Sequence, residues 1–301
     1  MSSQAINTSS PRTVDRRLPL SLAREQLLGA GLLALALGLA LVSVLGPLVL
    51  DVIHYRVSET VRDQTVGLDL ASLALVAPLT LGVAVLTLRR HPAAPALTLG
   101  PAAYAAYMLA QYVLGPEYVR IPGNNERFFL LFLALFVLAG FVGVCAWSML
   151  DVSALPAIDE RRARRIGRYL LPLLALAVFG RYLPALVDAS GNNPSAGYRA
   201  GPTFFWTIAL LDLGVFLPTL LATAVGLRHG RPWARKTLWL VSGWLALVGP
   251  AVCAMAAAME IKHDPGSSPG GVVLTGALAV ALVAFAVYVY RPLTQWSRTG
   301  A

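Results

Sequence analysis

The sequence predicts an all-α integral membrane protein, a polytopic bundle of about eight transmembrane helices with both termini in the cytoplasm. Only 13% of the 301 residues are charged and 57% are hydrophobic, whereas about 25% of the residues of soluble domains are charged. The apolar residues fall into blocks of about 20, the length that a helix needs to cross roughly 30 Å of hydrocarbon. The basic residues are concentrated in alternate connections between these blocks. A membrane β-barrel is excluded because its strands would alternate apolar and polar residues.

The blocks are taken in chain order. Residues 1–26 are polar and predict a flexible, basic cytoplasmic tail, and the apolar run 27–50 follows. This run exceeds the 7–15 apolar residues of a signal peptide, so we expect it to be an uncleaved first helix. A C-terminal cytoplasmic tail is expected at 291–301. The other predicted spans are 67–88, 94–114, 127–149, 168–188, 203–226, 237–259 and 270–290. The third and fifth blocks are the least hydrophobic, so six or seven spans are the alternatives.

The distribution of basic residues predicts the orientation. The tails and the connections after the second, fourth and sixth spans hold 17 Lys and Arg, whereas the other connections hold 6. The positive-inside rule therefore places both termini in the cytoplasm. The same basic connections are expected to attract anionic lipid headgroups, and they give no reason to invoke nucleic acid. Arg greatly outnumbers Lys, and Ala and Leu are abundant, which suggests a GC-rich bacterial genome and a plasma-membrane location.

Three ionisable residues lie inside apolar blocks, where charge is costly and is usually functional or paired. Asp69 is two residues past the predicted start of its span, so we expect it to reach the outer headgroup region. Arg181 and Asp212 are predicted about 10 and 12 Å deep, in one layer of neighbouring helices, where they can pair. The pair can bind a ligand, or it can simply fix helix packing.

The third block carries a polar stripe that lies partly in this layer. Tyr104, Tyr107 and Gln111 follow i, i+3, i+7 spacing, which puts them on one helix face. We therefore predict a binding site in the outer half of the bundle, formed by Tyr104, Tyr107, Gln111, Arg181 and Asp212. Prolines inside several blocks favour a transporter slightly, because broken helices line cavities in transporters.

A second candidate site lies at the predicted outer surface. Asp51 and His54 follow the first span, and Glu260 and His263 follow the seventh. A carboxylate and an imidazole three residues apart on a helix share one face, the spacing that metal sites in helical bundles use. No cofactor is predicted, but these pairs are a hypothesis for a metal ion if their helices meet.

Three classes of function stay open after several are excluded. Lys is found only at 236 and 262 and all four His lie in predicted loops, which argues against retinal and against embedded haem. Phosphate-binding, zinc-protease and nucleophile-elbow motifs are missing from the sequence. The favoured class is a small-molecule or ion transporter or binding protein. The alternatives are an enzyme using Asp51, His54, Glu117, Glu126, Glu260 and His263, and an accessory subunit that packs against a membrane-protein partner or a second copy of itself.

Overall fold

The computed structural model describes residues 17–153, 158–190, 198–199 and 201–299, and these residues form a helical bundle without β-strands. Seven of its helices are long and apolar enough to cross a membrane. The bundle is therefore consistent with a multi-pass membrane protein. Its eight long helices are α1 Arg17–Leu45, α2 Glu59–Leu88, α3 Ala94–Leu114, α4 Asn125–Met149, α5 160–190, α6 Pro202–Arg228, α7 Pro232–Ile261 and α8 Pro269–Thr299.

The helix that does not qualify as a span is α3, and its position explains why. It packs against α2, α4, α6 and α7, and Tyr104 and Gln111 are buried. A helix surrounded by other helices does not need a continuous apolar surface. Small residues bring α3 close to α7: a Cβ added at Gly100 would lie 2.7 Å from the carbonyl carbon of Gly243.

Two helices begin well before the apolar blocks that predicted them. α1 begins at Arg17 instead of residue 27, and α2 begins at Glu59 instead of residue 67. The side chain of Ser58 caps α2 by accepting the backbone N–H of Val61, and Glu59 lies in the first turn. A capped, acidic first turn stabilises the start of the helix, although its residues are too polar to be part of an apolar block.

The arginine-rich connections lie together at one end of the bundle, which we call the basic end. Near the start of α1, Glu25 lies 3.4 Å from Arg90, which follows the end of α2. Lys236 in the first turns of α7 donates to the carbonyl of Trp147 in the last turn of α4, at 3.1 Å. The connections that follow α1, α3, α5 and α7 therefore share the other end, which we call the opposite end.

Three helices contain a π-helical turn, and each turn precedes a proline by the same spacing. In a π turn an N–H bonds the carbonyl five residues earlier. Proline lacks an N–H and its ring clashes with the preceding turn, and a local π adjustment accommodates both effects in an apolar bundle. The turns are Ser72–Val76 before Pro78, Ile166–Leu170 before Pro172, and Asp212–Phe216 before Pro218.

The sequence Gly-Asn-Asn occurs twice, at 123–125 and at 191–193. The first occurrence, after α3, connects two loops at the opposite end. Asn124 accepts the backbone N–H of His54 at 2.8 Å. Gly123 lies so near the carbonyl oxygen of His54 that a Cβ there would be 2.5 Å from it. This occurrence of the motif is therefore a packing device, and the second one, at 191–193, lies outside the described residues.

Close packing of α2 on α7 generates a stability prediction. A Cβ added at Gly67 would collide with the carbonyl oxygen of Ala254, whereas a Cβ added at Gly82 on the same helix meets nothing within 4 Å. Gly67→Ala should lower the free energy of unfolding by about 1–3 kcal/mol through overpacking. Gly82→Ala is the matched control and should leave it unchanged or raise it. Thermal unfolding of the purified proteins measures both, and equal midpoints for the two variants would contradict the packing.

Candidate functional site

A cavity of about 190 Å³ lies inside the bundle, and all five residues of the predicted binding site line it. Its walls come mainly from α3, α5, α6 and α7, with α8 along one side. Most of the other lining residues are apolar, including Trp244 of α7 and Leu278 and Leu282 of α8. Apolar walls with a few convergent polar groups are typical of small-molecule sites, which range from about 300 to 1,000 Å³ for drug-sized ligands. The cavity suits a narrower ligand.

Asp212 is the centre of the polar part of this cavity. It is buried, and its two carboxyl oxygens accept hydrogen bonds from tyrosines on two other helices. Tyr107 of α3 donates to Oδ1 at 2.7 Å, and Tyr182 of α5 donates to Oδ2 at 2.6 Å. Hydrogen bonds of this length to a carboxyl group are among the stronger ones in proteins. Asp212 therefore joins α3, α5 and α6.

Arg181 lines the same cavity without pairing with Asp212. Among the described residues, none of the ion pairs closer than 4.0 Å includes Arg181. Its guanidinium carbon lies 5.5 Å from the ring centre of Tyr182, and the side chain is exposed. Consecutive residues on a helix point about 100° apart. Tyr182 consequently faces Asp212, and Arg181 points to the edge of the cavity with its charge available.

The other two predicted residues have mainly structural hydrogen bonds. The hydroxyl of Tyr104 shares a hydrogen bond of 3.0 Å with Ser72 of α2. The amide of Gln111 donates to the carbonyl oxygen of Tyr107 at 3.5 Å, within α3. Both side chains still form part of the cavity wall. They shape the site, whereas Arg181 and Asp212 carry its charge.

Asp69 lies in a different environment from the headgroup region expected for it. Because α2 begins at Glu59, Asp69 is a mid-helix residue with 0% of its surface exposed. Its Oδ1 accepts a hydrogen bond of 3.1 Å from Tyr112, while its Oδ2 has no hydrogen-bond partner among the described residues. Gly46, just past the end of α1, leaves room for this second oxygen, because a Cβ there would collide with it.

The two carboxylate–histidine pairs do not have the helical i, i+3 spacing on which the metal hypothesis is based. α1 ends at Leu45, so Asp51 and His54 are not on a helix, and their side chains lie 3.7 Å apart. His263 lies beyond the end of α7 with a left-handed φ of 56°, and its backbone N–H donates to the carbonyl of Glu260. Among the described residues, no group of three or more His, Cys, Asp or Glu side chains could hold a metal ion.

Three of the carboxylates proposed for an enzyme at this end bind basic groups or a helix start. Asp51 lies 2.6 Å from Arg62, and Glu126 makes two hydrogen bonds to Arg56, at 2.6 and 3.0 Å. Glu117 accepts the backbone N–H of Thr203 at 2.9 Å. These bonds connect loops and helix ends, which is a structural use of the side chains.

Sequence reasoning missed Tyr182, the second donor to Asp212, and Trp244, whose ring lies 5.1 Å from that of Tyr107. Tyr182 directly follows Arg181, and a signal existed there: a tyrosine beside a charged residue at the predicted depth of Asp212. For Trp244 the sequence holds no comparable signal, since it reads as one more apolar residue of α7.

Comparison with models of known protein families, with curated proteins and with solved structures found no match for this chain. Its function is therefore inferred from the cavity and its residues.

The hydrogen bonds of Asp212 generate a prediction for stability. Asp212→Ala should leave the hydroxyls of Tyr107 and Tyr182 without an acceptor, at a cost of about 1–3 kcal/mol for each buried group. In a protein that already carries Tyr107→Phe and Tyr182→Phe, the same substitution should cost much less. Denaturant unfolding of the four proteins measures the coupling. An equal cost of Asp212→Ala in both backgrounds would show that the two bonds do not matter.

Glu117 generates a prediction for pH dependence. Hydrogen bonds from Thr203, at the start of α6, hold the pKa of Glu117 below its usual value. A carboxylate with a lowered pKa in the folded state stabilises the fold above its unfolded pKa of about 4.3. That contribution is lost as the pH falls through the lower, folded pKa. The unfolding midpoint of the unmodified protein should therefore exceed that of Glu117→Gln at neutral pH, and the difference should shrink in acid. A constant difference at all pH values would contradict this role.

Proposed function

We propose that the protein is a small-molecule transporter or binding protein of the membrane, and that the cavity at Tyr107, Arg181 and Asp212 is its ligand site. The observation that carries the proposal is the charge of Arg181. It lines a mainly apolar cavity, its side chain is exposed, and it has no ion-pair partner among the described residues. Such a cation can bind a ligand group without first giving up a bond within the protein.

The packing of α3 supports a bundle of eight spans. α3 is less apolar than the other long helices, but it is enclosed by four of them, so its polar residues do not need to face lipid. With α3 counted, the start of α1, the end of α8 and the arginine-rich connections share the basic end. By the positive-inside rule, we assign this end to the cytoplasm and the opposite end to the outside of a bacterial plasma membrane.

The basic end also supports the proposed contact with anionic lipid. Four arginines around the start of α5 line one surface depression together with Tyr169. Lipid headgroups with negative charge attract such clusters by about 1 kcal/mol for each Lys or Arg near the surface. The cluster is Arg161, Arg164, Arg165 and Arg168.

A purely structural role accounts for Asp212 but leaves Arg181 unexplained. Asp212 connects three helices through two tyrosines, which is sufficient to fix their packing. Arg181 contributes no ion pair to that connection, and a charge inside a membrane segment is costly unless it has a use. A binding role explains both residues, because Asp212 holds α5 in the position that presents Arg181 to the cavity.

Filling the cavity tests the proposal. Ala177 of α5 lines the cavity and is exposed, so Ala177→Trp should fill it without disturbing the fold. Leu176→Trp is the matched control, because Leu176 is 66% exposed on the same helix and is not part of the cavity wall. We expect native mass spectrometry of the protein released from gentle detergent to show a bound small molecule. The adduct should be lost in Ala177→Trp and kept in Leu176→Trp.

A transport measurement then distinguishes a transporter from a protein that only binds the ligand. Once the adduct is identified, uptake of that molecule into proteoliposomes should be detected for a transporter and should fail for Ala177→Trp. An adduct that survives Ala177→Trp, or a protein that carries no adduct, would overturn the assignment of this cavity.

A further inference from the structure

The two halves of the bundle, α1–α4 and α5–α8, repeat the same arrangement of contacts. In each half the first helix packs along the last part of the second, and the third packs along the fourth. Adding 140 to a residue number relates the two halves, so that Gly67 corresponds to Thr207 and Leu114 corresponds to Ala254. The contact between Gly67 and Ala254 therefore corresponds to the contact between Thr207 and Leu114. Gly67 packs on the Ala254 carbonyl, and the Thr207 hydroxyl donates to the Leu114 carbonyl at 3.2 Å. The same shift relates the π turns of α2 and α6.

The two halves differ in how their first and last helices pack, and the cavity lies beside the pair that is less closely packed among the described residues. In the first half α1 packs against α4, so tightly that a Cβ added at Gly31 would lie 2.9 Å from the side chain of Val142. The corresponding helices α5 and α8 have no comparable packing among the described residues. The most apolar stretch of each is 17% buried, against 44% for α1 and 22% for α4. Leu174 of α5 and Leu278 of α8 both line the cavity, which therefore borders the gap between these two helices.

The gap between α5 and α8 has a polar side and an apolar side. Arg181 lies about 10 Å from the residue that ends the apolar part of α5, Asp188, a depth from which a long side chain reaches the headgroup layer. Leu278 and Leu282 continue the cavity along α8 with apolar surface. Toward the basic end the gap narrows, since the guanidinium of Arg162 lies 4.8 Å from the ring centre of Tyr288.

We infer that the ligand is a single-chain amphiphile with an anionic headgroup, which enters from the bilayer between α5 and α8. This inference rests on the proposed function and names the class of ligand. The headgroup binds the guanidinium of Arg181, and the chain lies between Leu174 and Leu278 and reaches toward Trp244. Asp212 directs its two oxygens to tyrosines and not to Arg181, so we assign the counter-charge of Arg181 to the ligand. The small volume, about 190 Å³, favours one chain over the two of a phospholipid.

Quenching of tryptophan fluorescence by bromine-labelled lipids tests this inference, because bromine quenches on contact and Trp244 lines the cavity. The full chain in phosphatidylcholine nanodiscs is titrated with bromine-labelled stearate, with its neutral methyl ester and with bromine-labelled lysophosphatidate. Stearate or lysophosphatidate should quench saturably, and the preferred one of the two identifies a carboxylate or a phosphate headgroup. The ester should bind about tenfold more weakly, the effect of one charged hydrogen bond.

Three variants complete the test. Arg181→Gln should weaken binding of the anionic probe about tenfold and leave that of the ester unchanged. Arg120→Gln, which removes an exposed charge from the loop after α3, should have no effect. Trp244→Phe should remove most of the saturable quenching.

The failures of the two proposals can be told apart. Equal affinity for acid and ester, or Arg181→Gln without effect, would overturn the anionic headgroup while leaving a cavity that binds apolar molecules. The absence of saturable quenching by any probe would overturn the amphiphile. If the adduct in mass spectrometry is still lost in Ala177→Trp, the proposed function stands with another class of ligand.

Discussion

The arrangement of the second half of the bundle depends on how the carboxyl group of Asp212 is satisfied. A buried carboxyl group without hydrogen-bond donors would cost several kcal/mol, and a neighbouring apolar helix can offer it only side-chain donors. Tyr107 and Tyr182 supply one hydroxyl to each oxygen. They come from α3 and α5, so the positions of these helices relative to α6 follow from two bonds. Among the described residues Arg181 has no ion-pair partner within 4.0 Å, and its charge is the basis of the proposed binding site.

Much of this organisation could be predicted from the sequence, because depth along a helix is a matter of counting residues. The helical class and seven of the predicted spans agree with apolar helices of sufficient length. Arg181 and Asp212 were expected in one layer, together with Tyr107, and the three residues line one cavity. The span predicted at 94–114 coincides with α3. Its low hydropathy reflects its central position, a property of the tertiary structure that no window of sequence can report.

Rotation about the helix axis could not be predicted, and it decides which residues meet. Arg181 and Tyr182 have the same depth but directions about 100° apart, and only the packing of α5 on α6 selects Tyr182 as the partner of Asp212. Asp69 shows a second limit. The polar first turns of α2 have the composition of a loop, so the helix was expected to begin too late and Asp69 to lie at its end. Capping by Ser58 extends the helix and places Asp69 in the core.

The two halves differ in packing, and the difference can be traced to Ser72 and Asp212, which occupy corresponding positions in the repeat. Ser72 and Asp212 each open a π turn that faces α3. Ser72 shares a single hydrogen bond with Tyr104, which suffices for a hydroxyl, and its half of the bundle is closed by α1 packing on α4. A carboxyl group needs more donors, and Asp212 takes the second from α5 through Tyr182. That bond holds α5 against α6. The half that contains this bond is also the one in which the described residues show no packing of the first helix on the last like that of α1 on α4, and the cavity with Arg181 borders that gap.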